Sequence, residues 1–229
     1  MPVVPRSAIA AVLIGLSLAG PQAAASDALD ACPAQLPAGA VRITTRHATP
    51  HLSYEHSARE IRRRLDAPGD GVTLGMTQTS SAVSVDIIVH RAVSSKGGPV
   101  CARPEIGIEL AHTSVEILLA SEIQGEPCVA DAVLNHEMVH VAIEHETLDW
   151  AGRSLEAQMR DYYRERVFDG DETTLRTQLA QEFEQRWSPA LEALLGMAKL
   201  KHAEHDERDR YADREICGGA LLRIARRIE

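Results

Sequence analysis

Aromatic residues are scarce in this chain and make up 3% of its 229 positions. A core of this composition must be built from Ala, Val, Leu and Ile, and an aromatic platform for bases or sugars is not expected. The chain also lacks an excess of positive charge, since 24 Lys and Arg residues stand against 33 Asp and Glu residues. With a formal net charge of -9 and no basic run, nucleic acid is not expected as a partner.

Long apolar runs are also absent, except near the amino terminus. Arg6 precedes an almost unbroken apolar stretch over residues 8–19, and the alanines at 23–25 fit a signal-peptidase site. About a dozen apolar residues are too few to span a hydrocarbon core of roughly 30 Å. The sequence therefore predicts a signal peptide over residues 1–25. One exported, soluble domain is expected over residues 26–229, in the periplasm or outside the cell.

Cysteine is limited to four residues, an even number that suits disulfides in an oxidising compartment. Their spacing lacks the close pairs of a zinc ribbon, so a cysteine-ligated metal is not expected. We favour a bond between Cys101 and Cys128, which would clasp the segment between them. A second bond, between Cys32 and Cys217, would tie the termini together. The alternative is that some of these cysteines are free and buried.

The first half of the domain carries the patterns of strands. β-Branched and alternating residues predict strands over residues 41–45 and 83–89, and Ser57–Leu65 is a predicted helix whose Ser57 and Glu60 form a capping box. Further apolar runs cover residues 106–111 and 115–123. These two runs predict a hairpin that turns near His112-Thr113.

From Ala130 the apolar period becomes helical. The predicted helices cover Ala130–Leu148, Leu155–Val167, Thr173–Trp187 and a long segment after Pro189 that is broken near Gly196 and ends around Gly218-Gly219. Strands come first and helices second. This order predicts an α+β fold in one domain, with a small antiparallel or mixed sheet followed by a helical half.

The chemistry is carried by residues 136–140, an HExxH motif within a predicted helix. His136 and His140 lie on one helix face, so their imidazoles can share one cation at about 2.0–2.1 Å. Glu137 can reach a water on that cation without being a ligand. Two imidazoles and a carboxylate suit Zn²⁺ with an open fourth position. The motif therefore predicts zinc at the two histidines, with Glu137 as the general base.

The motif leaves the third zinc ligand open. A metzincin would place glycine three residues after the second histidine and a ligand three residues later, but Ile143 and Glu146 stand there. Glu144 shares the histidine face but lies too far along a straight helix to close a tetrahedron. A thermolysin-like spacing would use Glu156 or Glu165. A later segment offers better candidates.

Acidic and histidine side chains share one helix face in the last third of the chain. His202, His205, Asp209 and Asp213 recur at intervals of three and four residues. For most of them the simplest interpretation is a charged, solvated face. An apolar helix follows directly, which indicates that this segment packs against the rest of the domain. We therefore expect the third ligand within it.

Residues 136–145, HEMVHVAIEH, resemble the active-site helix of HtpX-type and CAAX-prenyl-protease-type gluzincins, in which another histidine follows HExxH by five residues. Those families carry a later ExxAD helix, and the run from Asp209 to Asp213, DRYAD, is similar to it. The resemblance implies Asp209 as the third ligand and Asp213 as a residue that orients a ligand histidine. Because aspartate replaces glutamate at position 209, His205, one turn earlier, is the rival. The part before Cys128 resembles exported bacterial proteins that are predicted zinc proteases.

The remaining histidines carry no assigned function. His47, His51, His56 and His90 are scattered along the sequence and are interpreted as surface or packing residues. His112, at the tip of the predicted hairpin, has no visible partner.

These features together predict an exported zinc metallopeptidase with a zincin-like fold. It would hydrolyse a peptide or protein substrate through a zinc-activated water, with Glu137 as the base. The strand at Val115–Ala120 would be the sheet edge along which an extended substrate lies. The alternative is a non-catalytic, zinc-stabilised binding or adaptor protein of the cell envelope, whose own side chains fill the fourth metal position.

Overall fold

The computed structural model describes residues 36–65, 72–93, 100–208 and 216–228. The strands are β1 (Ala40–Arg46), β2 (Pro50–His56), β3 (Gly75–Val93), β4 (Val100–Ala120) and β5 (Phe168–Asp169). The helices are α1 (Ala58–Leu65), α2 (Pro127–Tyr163), α3 (Glu172–Glu182), α4 (Ser188–Leu195), α5 (Met197–Arg208) and α6 (Ala220–Ile228). The predicted α+β class and the mixed sheet are confirmed. The predicted signal peptide lies outside the described residues.

β4 is the central strand of the sheet. One of its edges pairs antiparallel with β3 over almost its whole length. Its other edge pairs antiparallel with β5 and parallel with β1 and β2. Over Val115–Leu118 both edges are paired, so the expectation that this segment is a substrate-binding edge is wrong. Among the described strands, β3 pairs only with β4 and therefore forms an edge of the sheet.

The hairpin predicted to turn near His112-Thr113 does not form, because β4 continues through this point. On the facing strand, Ser80 pairs with Ser114 and Ser81 pairs with His112. Thr113 is therefore the extra residue of a β-bulge, which bends a strand without ending it. The polar residues that suggested a turn mark this bulge.

α1 and β1 agree with the sequence patterns. The predicted strand over residues 41–45 lies within β1, and α1 begins after Ser57. The predicted capping box is present, since the Ser57 backbone N–H donates to Glu60 Oε2 at 2.8 Å and the Glu60 N–H donates to Ser57 Oγ at 3.3 Å. These interactions depend on neighbours in sequence, which is why local patterns predict them.

α2 is one continuous helix of 37 residues, so the predicted break between Leu148 and Leu155 is wrong. Gly152, which lies in this interval, serves a close contact between helix and sheet. A Cβ added to Gly152 would lie 3.0 Å from Thr45 Cγ2 and 3.6 Å from Ile43 Cγ2. None of the described helices combines the length and apolar character needed to cross a membrane.

The later helices follow the predicted order with one change. α3 ends at Glu182, and the next turn, Phe183–Trp187, is π-helical rather than a continuation of the α-helix. The predicted break near Gly196 is confirmed, because it separates α4 from α5. α5 is thereby free to pack alongside α2.

Two apolar clusters hold α2 on the sheet. The first includes β4 from Val115 and α2 as far as Val141. The second includes β4 as far as Leu110 and α2 from Leu148. The boundary between the clusters contains the buried polar side chains of His112 on β4 and Thr147 on α2.

A disulfide joins Cys128 to Cys217, so both favoured pairings are wrong. Cys101 is the second residue of β4 and Cys128 lies beyond the other end of this strand. The 19 extended steps from Cys101 to Ala120, at about 3.3 Å each, span about 60 Å. Cys217 precedes α6, whose Ala220 packs in the same apolar cluster as the start of α2. Cys101 is also disulfide-bonded. Cys32 lies outside the described residues.

Candidate metal centre

The HExxH motif lies on a part of α2 that faces the interior on two sides. His136 and Glu137 are buried, His140 is half-buried, and Met138 and Val139 are exposed. Since successive helical residues are rotated by about 100°, the two histidines face one neighbour and the glutamate faces another. That first neighbour is α5, and the second is β3.

Three donor atoms converge where α2 meets α5. Nε2 of His136 lies 3.1 Å from Nε2 of His140. Oδ1 of Asp206 lies 3.4 Å from the first nitrogen and 3.0 Å from the second. Ligand atoms at about 2.0–2.1 Å from one tetrahedral ion lie about 3.3 Å apart. These three atoms therefore have the spacing of ligands to a shared metal ion.

The Asp206 carboxylate is the negative charge of this centre. Burial raises its pKa, but hydrogen bonds from His136 and His140 and the charges of these rings outweigh burial, so the pKa lies well below the usual range. The carboxylate is consequently ionised at neutral pH. An anionic oxygen beside two imidazoles is a suitable donor set for a divalent transition metal.

His202 and Glu144 orient one of the two motif histidines. His140 Nδ1 lies 2.8 Å from His202 Nδ1, and His202 Nε2 lies 2.8 Å from Glu144 Oε1. An ionised carboxylate only accepts, so the His202 Nε2 carries a proton and, in a neutral ring, its Nδ1 accepts from His140. With Nδ1 as the donor, Nε2 of the neutral His140 ring presents a lone pair to the metal centre, and it donates to Asp206 only when the ring is protonated. Glu144 is thus no ligand, as its position predicted, but it supports one.

His205, the predicted rival ligand, also reaches the centre. One of its ring nitrogens lies within 4.8 Å of ring nitrogens of His136 and His140. Its ring stacks on that of His136, with the centroids 4.5 Å apart. α5 therefore supplies two candidate donors to the centre, the Asp206 carboxylate and the His205 imidazole.

Glu137 lies against the start of β3. Thr77 Oγ1 donates to Glu137 Oε2 at 2.8 Å. A Cβ on Gly75 would lie 2.5 Å from Glu137 Oε1, so a glycine leaves the space that the carboxylate occupies. Burial raises the pKa of Glu137, against the charge of His140 and the Thr77 hydrogen bond, which lower it. A raised pKa suits a carboxylate that takes up a proton near neutral pH.

The other candidate ligands lie elsewhere. Asp209 and Asp213 are outside the described residues. Glu156 accepts a hydrogen bond from the backbone N–H of Ile43 at 2.8 Å, and the side chain of Glu165 is 81% exposed. A thermolysin-like spacing is therefore not used. Glu156 lies about 24 Å along α2 from His140, and Glu165 follows the end of the helix.

A second group of three histidines lies at the boundary between the apolar clusters. His47 follows β1, His112 belongs to β4, and His145 lies on α2. One ring nitrogen from each lies within 4.8 Å of the others. The interpretation of His112 as a hairpin-tip residue without a partner is therefore wrong. Scattered sequence positions come together here because β1, β4 and α2 pack on one another.

The surroundings of His112 and His145 favour neutral rings. Burial lowers the pKa of His112 to about 4, and the nearby charge of Glu144 only partly opposes this shift. Burial also lowers the pKa of His145, an effect to which His47 adds. Neutral imidazoles are the form that binds metals. Both groups of histidines can therefore hold a metal ion.

Comparison with known proteins adds no match: no protein-family model, no curated protein and no solved structure is similar to the chain. A functional assignment therefore depends on the geometry of the two histidine groups.

Sequence reasoning missed several residues of the centre. The sequence did contain a signal for Asp206. It stands four residues after His202 and next to His205, on the segment in which the third ligand was expected. Thr77 had none, because a strand residue meets Glu137 only through tertiary packing. The same is true of Gly75.

Proposed function

We propose that this protein is a zinc-dependent peptidase of zincin-like fold. The observation that carries the proposal is the 3.0–3.4 Å spacing of donor atoms from His136, His140 and Asp206. Buried Glu137 beside them supplies a base that a purely structural metal site does not need. Asp206 takes the ligand role that the gluzincin resemblance assigns to Asp209.

The reaction is hydrolysis of a peptide bond. A zinc ion held by His136, His140 and Asp206 would act as a Lewis acid and would lower the pKa of a water bound to it. Glu137 takes a proton from the attacking water and passes it to the leaving amine. Its raised pKa serves both steps, and Thr77 keeps the carboxylate oriented. His202 and Glu144 hold His140 in the required tautomer.

The substrate is an extended peptide that pairs with the outer edge of β3. Gly75 and Thr77 lie at the start of this strand, next to Glu137. Among the described strands β3 has no partner on its other edge. Backbone hydrogen bonds to an edge strand give affinity without demanding one sequence. Val83 and Val85 on β3 are exposed and offer apolar contacts further along.

Export to an oxidising compartment is part of this proposal. The disulfide between Cys128 and Cys217 supports it, because such bonds persist in secreted and periplasmic proteins. The bond ties α6 to the start of the helix that carries the metal centre.

A non-catalytic, zinc-stabilised binding protein is the second candidate. His205 is the observation that favours it, because its imidazole is near enough to complete a set of four protein ligands with His136, His140 and Asp206. A site with four protein ligands has no position for substrate. His205→Ala separates the candidates: a peptidase keeps its zinc, whereas a structural site loses zinc affinity and thermal stability.

Glu137→Gln tests the peptidase proposal directly. We expect hydrolysis of a mixture of fluorogenic peptides to fall by about 10²–10⁴, the usual contribution of a general base. Zinc content, measured by mass spectrometry of the purified protein, should stay at the wild-type value, since Glu137 is not a ligand.

The matched control is Glu146→Gln, an exposed glutamate on the same helix, which should retain full activity. Undiminished hydrolysis by the Glu137→Gln protein would show that the proposed mechanism is wrong. The absence of hydrolysis in the wild-type protein with zinc bound would favour the binding protein.

A further inference from the structure

Three buried ring nitrogens in the second histidine group have no hydrogen-bond partner among the described residues. They are Nδ1 of His47, Nδ1 of His112 and Nε2 of His145. Buried polar atoms are nearly always hydrogen-bonded, so a single such nitrogen is unusual. Three of them on rings that contact one another indicate one partner shared by all three.

The tautomer of His47 shows what kind of partner is needed. His47 Nε2 lies 3.0 Å from Asp149 Oδ1, which also accepts a hydrogen bond from Thr45 Oγ1. Since a carboxylate only accepts, His47 Nε2 carries the proton and, in a neutral ring, Nδ1 presents a lone pair. A carboxylate behind the non-ligating nitrogen is the usual support of a metal-binding histidine.

We propose that His47, His112 and His145 bind a second transition-metal ion, distinct from the one at the HExxH centre. Three imidazoles form an all-nitrogen donor set, which suits Zn²⁺, Co²⁺, Ni²⁺ or Cu²⁺ and not the oxygen-seeking Mg²⁺ or Ca²⁺. The rings already contact one another, with centroids 4.3–5.6 Å apart. One ring nitrogen from each lies within 4.8 Å of the others, compared with about 3.3 Å between the ligands of a tetrahedral ion.

The position of this site in the fold gives the ion a structural role. On β4, His112 lies between Leu110 of one apolar cluster and Val115 of the other. The β-bulge at Thr113 adjoins His112 and sets its direction. The ion therefore joins three parts of the fold: the connection after β1, the bend of β4, and α2. It does so in the gap between the two apolar clusters.

The two metal sites share a helix but use different faces of it. His145 follows His140 by five residues, which is a rise of about 7.5 Å and a rotation of about 140°. One site is completed by α5 and the other by the sheet. Each can therefore be removed without removing the other.

Co²⁺ titration of the full chain tests this proposal, with His136→Ala and His140→Ala combined to remove the first site. We expect one equivalent of Co²⁺ to bind with the visible absorption of a tetrahedral nitrogen-rich site. Adding His47→Ala should abolish this binding. His47 is chosen because its side chain is 29% exposed, so its loss leaves the apolar clusters intact. His51→Ala, at an exposed histidine, is the matched control and should retain one equivalent.

Two results would overturn the proposal: no binding in the double variant, or equal binding after His47→Ala is added. Circular dichroism establishes that each variant is folded. If the double variant fails to fold, the comparison is made in the wild-type background, where His47→Ala should remove one equivalent of metal. Asp149→Asn gives an independent check, with an expected loss of about 10–100-fold in affinity.

The outcome for this site is distinguishable from that for the proposed peptidase. One equivalent in the wild-type protein, lost with His47→Ala and unaffected by His140→Ala, would support the second site and contradict the first. One equivalent lost only with His140→Ala would do the reverse.

Discussion

The two histidine groups of this protein both include residues of α2 and differ in what surrounds them. The HExxH centre is completed by α5, which brings the carboxylate of Asp206, and it borders a buried glutamate and an edge strand. The second group is completed by His47, which follows β1, and by His112 of β4. Its carboxylate, Asp149, hydrogen-bonds to the Nε2 atom of His47, on the opposite side of the ring from the proposed metal ion. Only the first group therefore combines metal ligands with a base and a surface for substrate. The proposed division is chemistry at one group and structure at the other.

The largest expected effect comes from His140→Ala. Removing this ligand should reduce peptide hydrolysis to background, because the HExxH centre then loses one of the two motif imidazoles that hold the catalytic metal ion. The second metal ion should stay bound, so metal analysis should still find one equivalent. Loss of all metal from this variant would contradict the separation of the two groups, unless circular dichroism shows that the variant is unfolded.

Removing bound metal with a chelator should distinguish the two histidine groups by its effect on the melting temperature of the protein. A ligand present at 100 to 1,000 times its dissociation constant stabilises the folded state by about 3–4 kcal/mol. A chelator should therefore lower the melting temperature of the His140→Ala protein, in which the structural ion remains. In a protein with both His140→Ala and His47→Ala, the chelator should have no effect on thermal unfolding. An equal shift in both proteins would assign the stabilising ion elsewhere.

A smaller effect is expected from Glu144→Gln. This change weakens the support of His202 and hence of His140, which should lower zinc affinity at the HExxH centre by about 10–100-fold. Zinc competition with a fluorescent chelator measures this affinity. Glu146→Gln, two residues further on an exposed face, serves as the control. The affinity of the second site for Co²⁺ should change less, since its histidines do not hydrogen-bond to Glu144 in the described structure.

The smallest expected effect is a shift of pH dependence in Thr77→Val. The Thr77 hydrogen bond lowers the pKa of Glu137, so its loss raises that pKa further. Glu137 must be deprotonated to act as a base, and the acidic limb of the pH–rate profile should therefore move to higher pH. Thr77→Ser keeps the hydroxyl and should keep the profile. Metal content should equal the wild-type value in both variants, and an unchanged profile in Thr77→Val would remove Thr77 from the mechanism.

Prediction from the sequence succeeded where spacing along one element decides geometry. His136 and His140 lie on one helix face because any helix places residues four apart side by side. The capping box of α1 is equally local. The predicted break between Leu148 and Leu155 and the predicted turn at His112-Thr113 were wrong. Local sequence did not reveal the close helix–sheet contact at Gly152 or the bulge within β4.

Contacts between residues far apart in sequence could not be predicted from local patterns. The pairing of Cys128 with Cys217 depends on the packing of α6 against the start of α2. The contact of Asp206 with the motif histidines depends on the angle at which α5 packs against α2. Asp206 lies about one helical turn before Asp209, where the ligand was expected. His47, His112 and His145 carry no pattern that connects them.

The sequence by itself determined the helix that carries HExxH, the order of strands before helices and the aliphatic composition of the core. Tertiary structure alone decided which carboxylate meets the two motif histidines and which three other histidines share a buried boundary. The physical reason is that helical period and capping act within a few residues, whereas a metal centre needs donor atoms from several elements within a few ångströms of one another. Only the packing of α2 against α5 and the sheet brings those atoms together.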